Sequence, residues 1–140
     1  MPVRAVVADD NAVMLTTIQQ LLGESAEVAV VGAARTGDDA LRMIKEEHPD
    51  VAVLDVGMPG GGAALVRQVR ALPEPPWVLI FSGRDDPETV QDMLAAGATG
   101  YVSKGGLTED LAGLVRRCAR GEWVGLAAGA QPDVPEIPGE

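Results

Sequence analysis

The sequence predicts an α/β fold in which five parallel strands form one doubly wound sheet with helices on both faces. Short apolar runs alternate along the chain with segments of helical spacing. The apolar runs are continuous rather than alternating, which is typical of strands that are buried on both faces. The connections are short, so each crossover between parallel strands should be right-handed. With 140 residues, of which 46% are hydrophobic, the chain is long enough for one domain with a substantial core.

The predicted strands are the five apolar runs. The chain has two tryptophans, one tyrosine and one phenylalanine, so the core of this sheet should be mainly aliphatic. The runs are Val3–Ala8, Val28–Gly32, Val51–Leu54, Trp77–Phe81 and Thr99–Val102.

The first two intervening segments carry the signals of amphipathic helices. Leu15, Ile18 and Leu22 follow the spacing i, i+3 and i+7, which places them on one helical face. The second segment begins at Thr36, a favoured N-terminal capping residue, and ends before Pro49.

The last three segments have the same character. The fourth is expected to begin at Pro87, because proline suits the first helical turn. The apolar faces of the third and fifth helices are formed by Leu65, Val66 and Val69, and by Leu107, Leu111, Leu114, Val115 and Cys118.

A domain boundary is predicted near residue 122. Residues 1–122 should form the folded domain, and residues 123–140 a C-terminal tail or the start of a linker. Residues 131–140 contain three prolines and three acidic residues, which predicts disorder from about residue 131.

Charge and composition exclude several classes of function. The formal net charge of −10 argues against direct nucleic-acid binding by this chain. Cys118 is the single cysteine, so no intramolecular disulfide can form. No apolar stretch approaches 18 residues, and the N-terminus runs directly into the first strand without room for a signal peptide. We therefore expect a cytoplasmic protein with no membrane contact.

Three aspartates follow two of the predicted strands. Asp9 and Asp10 come directly after the first strand and Asp55 after the third. The carboxyl ends of parallel strands meet at one edge of the sheet, where α/β folds bind ligands. Two carboxylates about 4 Å apart repel by roughly 4 kcal/mol at an effective dielectric constant near 20. A hard divalent cation removes this repulsion, so the sequence predicts a Mg²⁺ site.

Two further polar residues are predicted at the same edge. Ser82 follows the fourth strand and Lys104 the fifth. Together with the acids, they could hold a metal ion and a phosphoryl group, with one acid as nucleophile. Simpler roles exist for each residue, since an aspartate or Ser82 could cap a helix and Lys104 could be solvated. A cap accounts for one of Asp9 and Asp10, but not for both together with Asp55.

Four motifs in order resemble the receiver domain of two-component response regulators. They are D-D after the first strand, D-x-x-M-P after the third, S-G after the fourth and Y-x-x-K after the fifth. The resemblance covers residues 3–122. It implies a flavodoxin-like (βα)5 fold with strand order 2-1-3-4-5.

The resemblance also implies a role for each motif residue. Asp55 would be the phosphoacceptor, and Lys104 would pair with the phosphoryl group. Ser82 and Tyr101 would form the switch pair, with Tyr101 rotating inward when Ser82 moves. The implied Mg²⁺ ligands are Asp10 directly, Asp9 through water, Asp55, and the backbone carbonyl of Gly57.

The sequences M-P-G-G-G, S-K-G-G and R-C-A-R-G-E-W-V resemble one branch of these receivers, which usually precedes a LuxR-type helix-turn-helix domain. No such domain follows within the 140 residues, so we expect either a stand-alone receiver or a chain that ends in a linker. The implied partner is a histidine kinase or phosphotransfer protein, and a homodimer stays open. The expected output surface is the fourth helix, fifth strand and fifth helix, roughly residues 85–120, with arginines as a charged handle: Arg84, Arg116, Arg117 and Arg120.

Three other classes of function fit the sequence less well than a switch controlled by phosphorylation of Asp55. An aspartyl-phosphate phosphohydrolase needs an acid two residues beyond the nucleophile, where this chain has Gly57. A flavin or nucleotide binder would need a phosphate-binding loop after the first strand, where the two aspartates would repel phosphate. A non-phosphorylated interaction module would be expected to have an eroded site. The chain is therefore not expected to be an enzyme, beyond its own phosphorylation and dephosphorylation at Asp55.

Overall fold

The computed structural model describes residues 1–83, 86–104 and 110–125. The strands in these ranges are β1 (Val3–Ala8), β2 (Val28–Ala34), β3 (Val51–Leu54), β4 (Trp77–Ser82) and β5 (Gly100–Ser103). The helices are α1 (Ala12–Gly23), α2 (Gly37–Glu47), α3 (Ala63–Arg70), α4 (Pro87–Ala96) and α5 (Leu111–Ala119).

The strands form one parallel sheet in the order β2-β1-β3-β4-β5. This order and the alternation of strands with helices confirm the predicted flavodoxin-like fold. Because the chain starts in the middle of the sheet and moves first to one edge and then to the other, β1 and β3 lie side by side. Their carboxyl ends form the switch point at which such folds bind ligands.

The core has two layers, one on each face of the sheet. Side chains of α2, α3 and α4 pack on one face, and those of α1 and α5 on the other. Buried valine, leucine, isoleucine and alanine dominate both layers, as the shortage of aromatic residues predicts. Since β1 and β3 are covered on both sides, their continuous apolar sequences are explained by burial.

Three strands have bounds that differ from the sequence prediction, and of these β4 ends one residue later, at Ser82. Strand β2 continues to Ala34, because the Asp9 amide still donates to the Ala34 carbonyl at 3.1 Å. Strand β5 begins at Gly100 and continues to Ser103, one residue later than predicted at each end. Of the apolar residues assigned to the fifth helix, Leu107 lies outside the described residues.

Side-chain caps define the starts of α1 and α2, which follow the carboxyl ends of β1 and β2. The Asn11 side chain caps α1 by accepting a hydrogen bond from the Met14 amide at 3.0 Å. Neither Asp9 nor Asp10 has this role, so the simpler reading of the acidic pair as a helix cap does not apply. Thr36 caps α2 as predicted. Among the described residues, no helix has the length and apolar character needed to cross a membrane.

The residues after α5 lie against the sheet. We call Glu122–Gly125 the edge segment, because Val124 forms a parallel bridge with Gly100 on the outer side of β5. The Tyr101 amide donates to the Val124 carbonyl at 2.8 Å, and the Val124 amide donates to the Thr99 carbonyl at 3.3 Å. Packing against the sheet thus continues two residues beyond the boundary drawn at residue 122. The tail predicted from residue 131 lies outside the described residues.

The edge segment makes a stability prediction possible at Gly100. A Cβ atom at Gly100 would lie 2.7 Å from both the Leu79 Cδ1 atom and the Val124 carbonyl oxygen. We therefore expect Gly100→Ala to lower the free energy of unfolding by about 1–3 kcal/mol through overpacking. Urea denaturation measures this difference.

Gly23→Ala is the matched control, because a Cβ atom there meets nothing within 4 Å. Gly23 is the last residue of α1, so alanine should be neutral or stabilising by up to about 1 kcal/mol. Equal stability of Gly100→Ala and the unchanged protein would mean that the edge segment is not seated on β5.

Candidate functional site

The register of the sheet brings the predicted acids together. Ala8 at the end of β1 pairs with Leu54 at the end of β3, so Asp9 and Asp55 leave the sheet side by side. The Asp55 amide donates to the Ala8 carbonyl at 3.1 Å, which extends the pairing to the nucleophile candidate itself. Each of Asp9, Asp10 and Asp55 has a carboxylate oxygen within 4.8 Å of the others.

The three carboxylates differ in exposure. Asp9 is completely buried and Asp55 is 4% exposed, whereas Asp10 is an exposed residue. The Lys104 ammonium lies 2.7 Å from an Asp9 oxygen and 3.2 Å from an Asp55 oxygen. One ammonium therefore bridges two buried acids, and the third acid faces solvent.

Burial raises the pKa of Asp55 above its ordinary value, and the charge of Asp9 raises it further. Lys104 and a hydrogen bond from the Gly57 backbone lower the pKa of Asp55, but they offset only part of the increase. The native state thus holds the Asp55 proton more tightly than the unfolded chain does. The contribution of Asp55 to the free energy of unfolding is therefore present below the ordinary carboxyl pKa and is lost as the pH rises through the raised pKa of Asp55.

The pKa of Lys104 is also raised. Burial alone would lower the pKa of the ammonium, but the hydrogen bond with Asp9 and the charge of Asp55 outweigh it. Lys104 is therefore a fixed positive charge at neutral pH. Its position between the two acids is set by the end of β5, since it directly follows Ser103.

Ser82 and Tyr101 lie on the last two strands, with Ser82 at the end of β4 and Tyr101 three residues before Lys104 in the chain. Ser82 is buried at the end of β4 and pairs in register with Ser103, the neighbour of Lys104. Tyr101 is completely buried and packs with the α2–α3–α4 side of the core. The sequence predicts that the Tyr101 ring rotates inward on activation. In this structure the ring already lies in the interior, so it does not occupy the outward position from which such a rotation would begin.

The loop that follows Asp55 is held by close backbone packing. The Gly37 amide donates to the Pro59 carbonyl at 2.7 Å, and a Cβ atom at Gly37 would overlap the Gly60 carbonyl. The start of α2 thus packs directly against the M-P-G-G-G loop. Gly57, the predicted source of a carbonyl ligand, adjoins Asp55: a Cβ atom placed on it would lie 3.8 Å from the Asp55 Oδ2 atom.

The donor set fits Mg²⁺ on chemical grounds. The cluster has three carboxylates, and the Lys104 ammonium pairs with two of them, so an excess of negative charge remains. All of its free donor atoms are oxygens, which are the ligands that a hard divalent cation prefers. Asp10 and the second carboxylate oxygen of Asp55 would hold the ion, while Lys104 pairs with Asp9 and with the first oxygen of Asp55.

One residue at this edge was not singled out from the sequence. Arg35 follows β2, and its Nε and Nη2 atoms donate to the Asp10 backbone carbonyl at 3.2 and 2.9 Å. The predicted second strand ends at Gly32, which leaves Arg35 in a connecting loop. A predicted strand that reached Ala34 would have placed Arg35 at the carboxyl edge of the sheet and so identified it as a candidate site residue.

The predicted charged handle on the output surface is only partly available. Arg116 points away from β5 and pairs with Glu27, just before β2 on the opposite edge of the sheet, at 2.6 Å. Arg117 and Arg120 both pair with Glu122 of the edge segment. Arg84 lies outside the described residues.

Comparisons with known proteins agree with this geometry. Residues 5–116 match the response regulator receiver domain family. The chain is 39% identical over 123 residues to the transcriptional regulatory protein NarL of Mycobacterium tuberculosis, which covers 87% of this chain and 57% of that protein. It is 33% identical over 122 residues to the response regulator GacA of Pseudomonas aeruginosa, and this match covers 86% of this chain and 56% of GacA. The chain thus spans little more than half the length of these relatives.

A solved structure shows the same fold. The signal receiver domain of NarL from Mycobacterium tuberculosis superposes with a TM-score of 0.82 at 38% identity, over 86% of this chain and 98% of that one. The family match covers well over half of the 140 residues, and it includes all of the predicted site residues. The chain belongs to the response regulator receiver domain family of two-component signal transduction.

Proposed function

We propose that this receiver accepts a phosphoryl group on Asp55 from a histidine kinase or phosphotransfer protein. An Asp55 carboxylate oxygen attacks phosphorus, the bond from phosphorus to the donor's histidine nitrogen breaks, and an acyl phosphate forms. The observation that carries this proposal is the bridging of Asp9 and Asp55 by the Lys104 ammonium. This contact places a fixed positive charge beside the oxygen that would carry the new phosphoryl group.

Mg²⁺ would neutralise charge on the phosphoryl oxygens and on the acids during transfer. The chain's own residues divide the remaining work. Asp10, which is exposed, can reach the ion directly, while buried Asp9 holds Lys104. Ser82 would donate its hydroxyl to a phosphoryl oxygen, and the Gly57 carbonyl would complete the protein ligands.

The geometry also bears on the competing functions. A phosphohydrolase would need a general acid beside Asp55, but the described residues within reach are acids that share Lys104 or face solvent, and Gly57 replaces the acid expected two residues on. A non-phosphorylated module has no use for two acids buried against one lysine, since that arrangement costs stability. We therefore propose a signalling switch whose chemistry is confined to Asp55.

We propose that the output surface is α4, β5 and α5, now including the edge segment. The contacts that support this begin at Ser82, which pairs with Ser103 of β5, and continue along β5 to Tyr101. The Tyr101 amide is hydrogen-bonded to Val124, and Trp123 packs on the same side of the core as Tyr101. A shift of β5 would thus move the edge segment without any rotation of the tyrosine ring.

Beryllofluoride with Mg²⁺, which imitates the phosphoryl group on an aspartate, tests this switch. We expect amide NMR shifts at the Asp9 and Asp55 loops and also at Tyr101, Val124 and the first turns of α4. The reason is the continuous path from Ser82 through β5 to the edge segment. The C-terminal turn of α1, at the opposite end of the molecule from the site, serves as the internal reference.

The matched control is Asp55→Asn, which should show none of these shifts under the same conditions. Shifts that stop at the loops around Asp9, Asp55 and Lys104 would refute the output surface. The site would then store a phosphoryl group without passing on a signal.

A further inference from the structure

Two cations flank the acidic cluster, one on each side. Along the carboxyl edge, the strand order places Arg35 after β2, Asp9 and Asp10 after β1, Asp55 after β3, and Lys104 after β5. Lys104 contacts carboxylate oxygens directly. Arg35 instead contacts the backbone of the residue that we assign as a direct metal ligand.

Arg35 donates two hydrogen bonds to one oxygen atom, an arrangement that we call the Arg35 fork. Its Nε and Nη2 atoms donate to the Asp10 carbonyl at 3.2 and 2.9 Å. The guanidinium group is planar and rigid, so two donors on one acceptor fix the position of that carbonyl better than a single donor would.

The neighbouring residues of this loop have other anchors. The Asp9 amide is bonded to Ala34, and the Asn11 amide donates to the Asp9 Oδ1 atom at 2.9 Å. Asp10 lies between these two anchored residues and its side chain is exposed. In the described part of the chain, Arg35 supplies the side-chain hydrogen bonds to the Asp10 backbone.

We propose that Arg35 is a positioning residue, which fixes the loop after β1 so that the Asp10 carboxylate faces the metal ion. This inference rests on the proposed Mg²⁺ site. It assigns Arg35 no contact with the ion or the phosphoryl group. Partners outside the ligand shell commonly orient metal ligands, and their loss weakens metal affinity.

Positioning and simple charge predict opposite results for Arg35→Ala. Removal of a positive charge near a cation site strengthens cation binding if charge alone matters. If the fork positions Asp10, the same substitution weakens Mg²⁺ binding, and we expect about a tenfold increase in the dissociation constant.

Arg35→Lys separates the two effects further, because lysine keeps the charge but lacks the planar fork. We expect Arg35→Lys to weaken Mg²⁺ binding nearly as much as Arg35→Ala. Arg42→Ala is the matched control, since Arg42 is an exposed arginine on α2 that pairs with Asp39 and Glu46. It should leave the Mg²⁺ affinity unchanged.

The experiment is a titration of each protein with MgCl₂ at constant ionic strength. Calorimetry and the amide NMR signals of Asn11 and Asp55 measure the binding. A dissociation constant that is unchanged or lower in Arg35→Ala, with Mg²⁺ binding intact in the parent protein, would overturn the role of Arg35. Absence of Mg²⁺ binding in the parent protein itself would instead overturn the proposed metal site. Circular dichroism of the exposed-site variants confirms that each one is folded.

Discussion

Incubation with acetyl phosphate and MgCl₂ is expected to add one phosphoryl group to the chain, at Asp55. Acetyl phosphate supplies the phosphoryl group directly, so the carboxylate of Asp55 displaces acetate and no kinase is required. Asp55 lies 3.2 Å from the Lys104 ammonium and, unlike the completely buried Asp9, keeps a small part of its surface accessible. Intact-mass spectrometry measures the adduct, and peptide mapping after borohydride reduction locates it.

Asp55→Asn should abolish the adduct, because the amide lacks the nucleophilic oxygen. Lys104→Ala should still permit partial labelling, since the nucleophile and the metal-binding acids remain. Its NMR response to beryllofluoride should nevertheless be weaker, because the charge that reads the phosphoryl group is lost. An adduct of equal yield on Asp55→Asn would show that another residue is the acceptor, and no adduct on either protein would favour the non-phosphorylated module.

Most of the fold could be predicted from the sequence because burial and pattern agree. The apolar runs are continuous where strands are covered on both faces, as in Val51–Leu54, all four residues of which are buried. The pattern was weakest at the edges of the sheet. Small residues such as Ala33 and Ala34 give no strand signal at the end of β2, and their pairing with the end of β1 decides their conformation.

The edge segment was missed for a related reason. Two apolar residues, Trp123 and Val124, are too short a run to predict a strand, and they follow Gly121 and Glu122, which suggest a turn. Val124 is nonetheless completely buried, because Gly100 leaves room beside β5 for its backbone to approach. That fit between a glycine in one strand and a distant valine is tertiary, and no local pattern contains it.

The acidic cluster and Lys104 were predictable because each residue directly follows a strand, and strand ends converge in a parallel sheet. The sequence could not show that the two adjacent aspartates differ in burial. Asp9 is buried against Lys104 while Asp10 faces solvent, although the two are adjacent in the chain. The end of the strand pairing accounts for this, since the Asp9 amide still bonds to the Ala34 carbonyl whereas Asp10 lies in the loop beyond it. The contact of Arg35 with the Asp10 backbone depends on the strand order and was outside the reach of motif reasoning.

Mg²⁺ alone, without any phosphodonor, is expected to stabilise the folded protein. The Lys104 ammonium pairs with only two of the three carboxylates, so the apo protein contains repulsion that a bound cation removes. At a free Mg²⁺ concentration about 100 times the dissociation constant, the free energy of unfolding should rise by about 2.7 kcal/mol. Urea denaturation with and without MgCl₂ measures the gain, and NaCl of equal ionic strength controls for screening.

Asp10→Asn separates the metal effect from the repulsion. It should stabilise the apo protein, because one repelling charge is removed, and it should abolish most of the gain from Mg²⁺, because a direct ligand is lost. Glu46→Gln makes the same change of charge near the far end of α2, where Glu46 pairs with Arg42 on the surface, and should keep the full gain. Stabilisation of Asp10→Asn by Mg²⁺ to the same extent as the parent protein would exclude Asp10 as a ligand. A parent protein that responds equally to NaCl and MgCl₂ would exclude the metal site altogether.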